Sequence, residues 1–314
     1  MIDLSVKIGS LQLKNPVITA SGTFGYGVEY KEYLEIDRLG AIVTKTVTLK
    51  PREGNPMPRS LETPCGMLNS IGLANVGVDR FIKEKLPELE ELDTAVIVNV
   101  AGSTIEEYGE VVERVQHHPR VDGIEVNISC PNVKRGGIAF GTDPEITEQV
   151  ISCVRKATDK TIIVKLTPNV TDITEIALAA VRGGADCLSL INTLIGMSVD
   201  IEKRAPMLAR IVGGLSGPAI RPIALAKVYE VVKRVNVPVL GIGGIMNWRD
   251  ALEFLIVGAT AVQVGTLNFV QPDGAVRIID GLEQFCRRER IDDIKDLIGS
   301  LVEPGVNQSS HKEG

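Results

Sequence analysis

Five polar side chains interrupt an otherwise apolar pattern in this chain. Lys45, Asn99, Asn127, Lys165 and Asn192 fall at or near the C-terminal ends of the runs IVTKT, AVIVNV, GIEVNIS, TIIVKL and CLSLIN. Leaving a buried amide unsatisfied costs about 1–3 kcal/mol, and an unpaired buried charge costs more. One such residue could be a satisfied structural group, but five in equivalent positions argue for a shared pocket. Amides both donate and accept, which suits the alternating N–H and C=O edge of a pyrimidine or an isoalloxazine. Lysines beside such a ring would stabilise negative charge developing on it.

Two further runs end in glycine. PVLGIGG closes on Gly243-Gly244 and AVQVG is followed by Thr266 after Gly265. Glycine lets the backbone approach a phosphate closely, so these pairs point to a phosphorylated ligand. The segment NISCPNVKRGGIAFGTDP sets Cys130 just past a strand end, in a glycine-rich loop expected to be mobile. The chain has three histidines, His117, His118 and His311. The first two sit between a helix and the next strand, away from the cysteine, and the third is in the tail. That pattern excludes a Cys–His dyad and a histidine metal site, and reads Cys130 as a proton acceptor whose thiolate is favoured by nearby positive charge. Cys65, Cys153, Cys187 and Cys286 read as packing or loop residues.

The elements that must hold these groups alternate regularly. The seven runs already quoted, with NPVITASG from Asn15, make eight candidate strands whose near-continuous apolarity suits a parallel sheet covered on both faces. Between them, Ile105, Tyr108, Val111, Val112 and Val115 recur at helical spacing. So do Ile173, Ile176, Ala177, Ala180 and Val181, and then Leu225, Val228, Val231, Val232 and Val235. Asp143-Pro144 supplies a helix cap and a first-turn proline, and Thr171 is read as the start of the next helix. The alternation predicts an α/β fold, a single (β/α)8 barrel over residues 1–301, with 302–314 a polar, flexible tail. A short β extension precedes the barrel, and insertions at Pro51–Gly72, Ser129–Asp143 and Gly196–Pro218 would lie at its C-terminal face. A doubly wound sheet fits less well, because no GxGxxG follows the first strand.

Composition agrees with a folded enzyme. The chain has 314 residues, 44% hydrophobic and 24% charged, with net charge −6. No basic stripe marks a nucleic-acid binder, no apolar run spans a membrane, and the N-terminus does not read as a signal peptide. Five cysteines without disulfide or CxxC spacing suit a reducing, cytoplasmic location.

Together these motifs resemble the dihydroorotate dehydrogenases. NISCPNV with Cys130, LNSIGL with Asn69, VKLTP with Lys165, Asn192-Thr193 and GIGGI match that family's segments, and the likeness covers nearly the whole chain. The resemblance implies oxidation of (S)-dihydroorotate to orotate in pyrimidine biosynthesis, with FMN across the barrel mouth. Gly243, Gly244, Gly265 and Thr266 would hold the phosphate, with Gly217 and Ser21 lining the site. Lys45, Thr46, Asn99, Asn127, Lys165 and Ile191 would surround the ring and ribityl chain, Lys165 stabilising the reduced ring. Substrate would be held by Lys45, Asn69, Ser70, Ile71, Gly72, Leu73, Asn127, Asn132, Asn192 and Thr193. Cys130 would take the C5 proton as hydride leaves C6, under a loop that closes over the site.

The resemblance also bears on the electron acceptor. A cysteine base, rather than serine, and a chain starting almost at the barrel separate it from the membrane-associated quinone-using class. NVKRGGIAFGTDP is most similar to the NAD-linked class 1B catalytic subunit. That likeness implies a homodimer core within a heterotetramer, and a second subunit carrying FAD and a [2Fe–2S] cluster, since this chain lacks the cysteines to ligate one. Three alternatives stay open at this point: a fumarate-linked homodimer, a flavoenzyme acting on dihydropyrimidines without the carboxylate, and a phosphosugar-binding barrel without redox chemistry; the polar strand ends argue against a fourth, a non-catalytic barrel serving only as a partner scaffold.

Overall fold

The computed structural model describes residues 2–129 and 140–304. Eight parallel strands close into a barrel: β1 (Val17–Thr19), β2 (Ala41–Val43), β3 (Ala95–Val100), β4 (Gly123–Asn127), β5 (Thr161–Lys165), β6 (Cys187–Leu190), β7 (Val239–Ile242) and β8 (Ala261–Val264). They pair in chain order, and β8 closes on β1 through the register Val262↔Val17, Gln263↔Ile18 and Val264↔Thr19. The strands read as apolar runs because both faces are covered; every residue of β4, β5, β6, β7 and β8 is buried.

Six longer helices pack outside: α1 (Ile105–Val115), α2 (Pro144–Ala157), α3 (Ile173–Arg182), α4 (Arg221–Val232), α5 (Trp248–Ile256) and α6 (Gly274–Glu289). Their apolar stripes face the sheet. Tyr108, Val111, Val112 and Val115 of α1 are fully enclosed. On α4 only Val228 and Val231 of the expected stripe are, with Ala224; Leu225, Val232 and Val235 are half-buried. Side-chain caps fix several helix starts. Asp143 accepts from Ile146 N–H and Asn247 accepts from Arg249 and Asp250 N–H. The α3 cap is Asp172, which accepts from Thr174 N–H, rather than Thr171, because the carboxylate is the better acceptor one residue nearer the first turn. Among the described residues, no helix is long and apolar enough to cross a membrane.

The two ends of the barrel differ. At the N-terminal end an antiparallel hairpin, Val6–Ile8 with Leu11–Leu13, buries Ile8 and Leu13 and is tied to the start of β5 by Ser10 N–H donating to Thr161 Oγ1. At the C-terminal end a four-stranded antiparallel sheet rises above the barrel, in the order Leu194–Gly196, Gly213–Ser216, Gly66–Asn69, Ser60–Thr63. The hairpin is the short β extension expected before the barrel, whereas sequence reading leaves the segments of the four-stranded sheet as insertions. The strands are short, glycine-rich and largely half-buried, so neither apolar runs nor alternation announces them.

The packing between β7 and α5 is tight enough to test. A Cβ on Gly241 would lie 2.4 Å from the enclosed ring of Phe254. Gly241→Ala is expected to destabilise the fold by about 1–3 kcal/mol in denaturant unfolding; an unchanged midpoint would mean this seam is looser than described.

Candidate active site

The C-terminal ends of the strands open into a cavity of about 680 Å3, within the range of small-molecule sites. Its floor is polar. Asn127 and Lys165 are the last residues of β4 and β5, whereas Lys45 and Asn192 stand two residues beyond β2 and β6. All four line the cavity, as do Thr46 and Ile191 beside them. Asn127 is held from behind by Tyr108, whose hydroxyl donates to its carbonyl at 2.8 Å, and Ser129 N–H donates to its Oδ1. Asn192 Nδ2 donates to Ser129 Oγ at 3.0 Å, and Asn192 Oδ1 accepts from Thr193 N–H. The β4 and β6 ends are therefore joined by hydrogen bonds.

Asn99 is placed differently from the other strand-end groups. It stands one residue short of the end of β3, is fully enclosed, and is not part of the cavity lining. The reason is Glu125, a carboxylate inside the barrel that sequence reading overlooked. Glu125 Oε2 accepts from Asn99 Nδ2 at 2.6 Å, and Oε1 accepts from Ser189 Oγ at 2.9 Å and Gln263 Nε2 at 2.5 Å. Lys165 Nζ lies 3.9 Å from Oε2. Glu125, Ser189 and Gln263 each sit inside an apolar run, in GIEVNIS, CLSLIN and AVQVG, and that interruption was the available signal.

One wall comes from the antiparallel sheet and the turn after it. Asn69, Ser70, Ile71, Gly72 and Leu73 line the cavity, joined by Arg59, Ser60 and Met67. Asn55 braces the turn, donating from Nδ2 to Ser70 carbonyl and from its backbone N–H to Ile71 carbonyl. Ser70 Oγ is buried with no partner among the described residues, so a hydroxyl on this wall is available to a ligand. Thr193 faces it from the β6 side.

The opposite end is built from backbone. Ser21, Gly217, Gly243, Gly244, Gly265 and Thr266 line it, and Thr266 Oγ1 donates to Ser216 Oγ at 2.9 Å. Gly244 has φ +71°, and a Cβ there would lie 2.9 Å from both Arg221 N and Gly217 carbonyl oxygen. At Gly265 the nearest atom to an added Cβ is Ala20 Cβ at 3.7 Å, so the glycine leaves a gap instead of filling one. Glycines at the turns after β7 and β8 open the backbone to the cavity, which suits a phosphate approached by backbone N–H groups.

Electrostatics favour an anion. Burial, then the nearby Arg59 guanidinium, hold the Lys45 ammonium below the ordinary lysine range, with Glu29 opposing them. A negative ligand would relieve that strain. Among the described residues, no group of three or more His, Cys, Asp or Glu side chains could hold a metal ion. His117 and His118 lie between α1 and β4, at the other end of the barrel. Cys130 and Asn132 lie outside the described residues. Cys187 and Cys286 are buried, Cys153 is half-buried and Cys65 is exposed.

A family model described as dihydroorotate dehydrogenase matches residues 3–286. The chain is 58% identical over 300 residues to a protein of Geotalea uraniireducens, covering 96% of this chain and 98% of the relative. It is 56% identical to one from Geobacter sulfurreducens, over 95% and 98% of the two chains. It is 55% identical to one from Thermoanaerobacter sp., over 96% and 99%. All three relatives are named dihydroorotate dehydrogenase B (NAD(+)), catalytic subunit.

The two glycines of the cradle separate fold from ligand. Gly244→Ala should destabilise the chain, since an L-residue in the left-handed region costs about 1–2 kcal/mol before any clash. Gly265→Ala should keep the unfolding midpoint while lowering FMN affinity tenfold or more in a fluorescence titration. Unchanged affinity in Gly265→Ala would move the phosphate away from this turn.

Proposed function

The chain belongs to the dihydroorotate dehydrogenase family, and from that membership we propose that it oxidises (S)-dihydroorotate to orotate, with FMN in the cavity as hydride acceptor and NAD as final acceptor through a partner subunit. The observation that carries this reading is the cavity itself: a polar floor with Asn127 and Lys165, glycine-rich turns after β7 and β8, and a wall ending in Asn69–Leu73.

FMN, when bound, supplies a ring that accepts two electrons and a proton as hydride. This chain's residues do the rest. Gly243, Gly244, Gly265 and Thr266 hold the phosphate, with Ser21 and Gly217 beside them. Thr46, Asn127 and Ile191 fix the ring and ribityl chain, and the Lys165 ammonium favours the negative charge that hydride transfer leaves on the ring. Asn99 acts from beneath, through Glu125. Lys45 and the Asn69–Leu73 turn bind the dihydroorotate carboxylate, and Asn127, Asn192, Thr193 and Asn132 bind the ring amides. Cys130 removes the C5 proton as hydride leaves C6, so the ring gains its double bond; general-base help of this kind contributes about 10²–10⁴-fold.

The onward route rests on the relatives. Their names carry NAD(+) and the words catalytic subunit, which supports a separate electron-transfer subunit. The chain's five cysteines lack cluster spacing, which assigns the expected [2Fe–2S] centre, with FAD, to that partner. A homodimer of this chain at the core of a heterotetramer, and a cytoplasmic location, belong to the same reading.

The test is anaerobic mixing of the FMN-loaded chain with dihydroorotate, followed by flavin absorbance. Bleaching by dihydroorotate and not by dihydrouracil is expected; equal bleaching by dihydrouracil would overturn the substrate, and a chain that takes up no FMN would overturn the flavin. Reoxidation by NAD with the partner subunit is expected, and reoxidation by fumarate without it would overturn the acceptor. Cys130→Ser should slow reduction at least about 100-fold while FMN stays bound, because a hydroxyl is a poor base at neutral pH. Normal reduction in that variant would remove Cys130 from the chemistry.

Binding should also depend on pH through Lys45. The ammonium is charged below its own titration, which burial and Arg59 bring under the usual lysine range, and an anion binds the charged form. Orotate affinity should therefore fall as pH rises through that point, earlier than for an ordinary lysine. In Arg59→Gln, where one opposing cation is gone, the fall should move to higher pH. A midpoint that stays put would detach Lys45 from orotate binding.

A further inference from the structure

The dihydroorotate reading uses Lys165 and leaves the carboxylate beneath it without a task. Glu125 is fully enclosed in the barrel, and its direct partners come from three other strands: Asn99 from β3, Ser189 from β6 and Gln263 from β8. All three donate. The amide oxygens Asn99 Oδ1 and Gln263 Oε1 are buried and have no partner among the described residues. Two amides thus turn their N–H groups to the carboxylate at the expense of their own carbonyls, which is the arrangement an anion demands. Cys187 on β6, the other titratable group this carboxylate reaches, stays a neutral thiol, pushed well up by burial and then by Glu125 itself.

Lys165 completes the picture. Its ammonium is 3.9 Å from Glu125 Oε2, close enough to feel the charge and too far for a direct hydrogen bond. Lys165 also lines the cavity above. A lone ammonium in so dry a place would act on a ring above it as a full positive charge, and interactions there are screened far less than in water. The carboxylate behind it turns that charge into a dipole with its positive end towards the ligand.

We propose that Glu125 sets the reduction potential of the bound flavin, by offsetting part of the Lys165 charge so that the reduced ring is stabilised enough to accept hydride but not enough to keep it. The proposal rests on the reading that FMN lies over Lys165. Hydride carries two electrons and one proton to the ring and leaves it with one negative charge. With Lys165 alone that anion would be held too tightly to pass its electrons to a weak oxidant such as NAD. With Glu125 present the pair is neutral overall, and the flavin keeps a lower potential. Glu125 is thus a positioning residue in the electrostatic sense: it touches neither substrate nor flavin and acts through Lys165.

The test compares the two-electron midpoint potential of FMN in the wild-type holoenzyme with that in Glu125→Gln and Glu125→Asp, each titrated against a dye of known potential. Glu125→Gln keeps the side-chain shape, and its new amide can donate to Asn99 Oδ1 or Gln263 Oε1 once that neighbour rotates, so the barrel has a way to stay satisfied. Where a variant releases FMN during titration, the ratio of its dissociation constants for oxidised and reduced FMN yields the same shift. In Glu125→Gln the equilibrium should move at least about tenfold towards reduced flavin, about 30 mV for two electrons. In Glu125→Asp, which keeps the charge but disturbs the same hydrogen bonds, it should stay within about threefold of wild type. An unchanged or lower potential in Glu125→Gln overturns the proposal. So does an equal shift in both variants, which would assign the effect to packing. A wild-type chain that takes up no FMN overturns the flavin reading, and this proposal with it; a wild type that bleaches with dihydroorotate while Glu125→Gln shows no shift overturns this proposal alone.

Discussion

One carboxylate inside the barrel constrains everything at its mouth. Glu125 is fully enclosed, and a charge in that position is tolerated only where donors and a cation surround it. Three strands supply the donors and β5 supplies Lys165, so four elements far apart in sequence are committed to one arrangement. Asn99 belongs to that arrangement and not to the cavity wall. Asn127 and Lys165 at the strand ends above it line the cavity, while the donors of the layer beneath are already committed to Glu125. A barrel filled with aliphatic side chains would be simpler to stabilise, and this one spends its centre on holding a cation in place.

Above that floor the work divides between side chains and backbone. Polar side chains at the β2, β4, β5 and β6 ends line one part of the cavity, whereas the turns after β7 and β8 bring the glycines Gly243, Gly244 and Gly265 to another. The antiparallel sheet supplies the remaining wall, and the Ser70 hydroxyl there has no partner among the described residues. A phosphorylated, planar, hydrogen-bonding cofactor and a small anionic substrate fit this division, and the family to which the chain belongs is one that oxidises such a substrate.

Much of this was legible in the residues. Eight apolar runs alternating with helical stripes specify the barrel because parallel strands covered on both faces leave that signature and few others do. Lys45, Asn127, Lys165 and Asn192 were visible because a polar group closing an apolar run needs a reason. Asn99 was visible for the same cause, but its depth was not: the strand bounds match the apolar run Ala95–Val100, yet Asn99 stands one residue short of the end and is drawn against Glu125 inside the barrel. Glu125, Ser189 and Gln263 carried the same signal in mid-strand, where a polar residue is easily discounted as an exception in an apolar run. The antiparallel sheet was hidden for a different reason. Gly66, Gly196, Gly213 and Gly214 serve close packing between its strands, and glycine in a sequence reads first as turn.

The most direct measurement is diffraction from crystals of this chain grown with FMN and orotate. The ring is expected over Lys165 and Asn127, the phosphate against the backbone of Gly244 and Gly265, and the orotate carboxylate between Lys45 and the Asn69–Leu73 turn. FMN density with the phosphate elsewhere, or with its ring away from Lys165, would contradict the arrangement on which both the chemistry and the role of Glu125 depend.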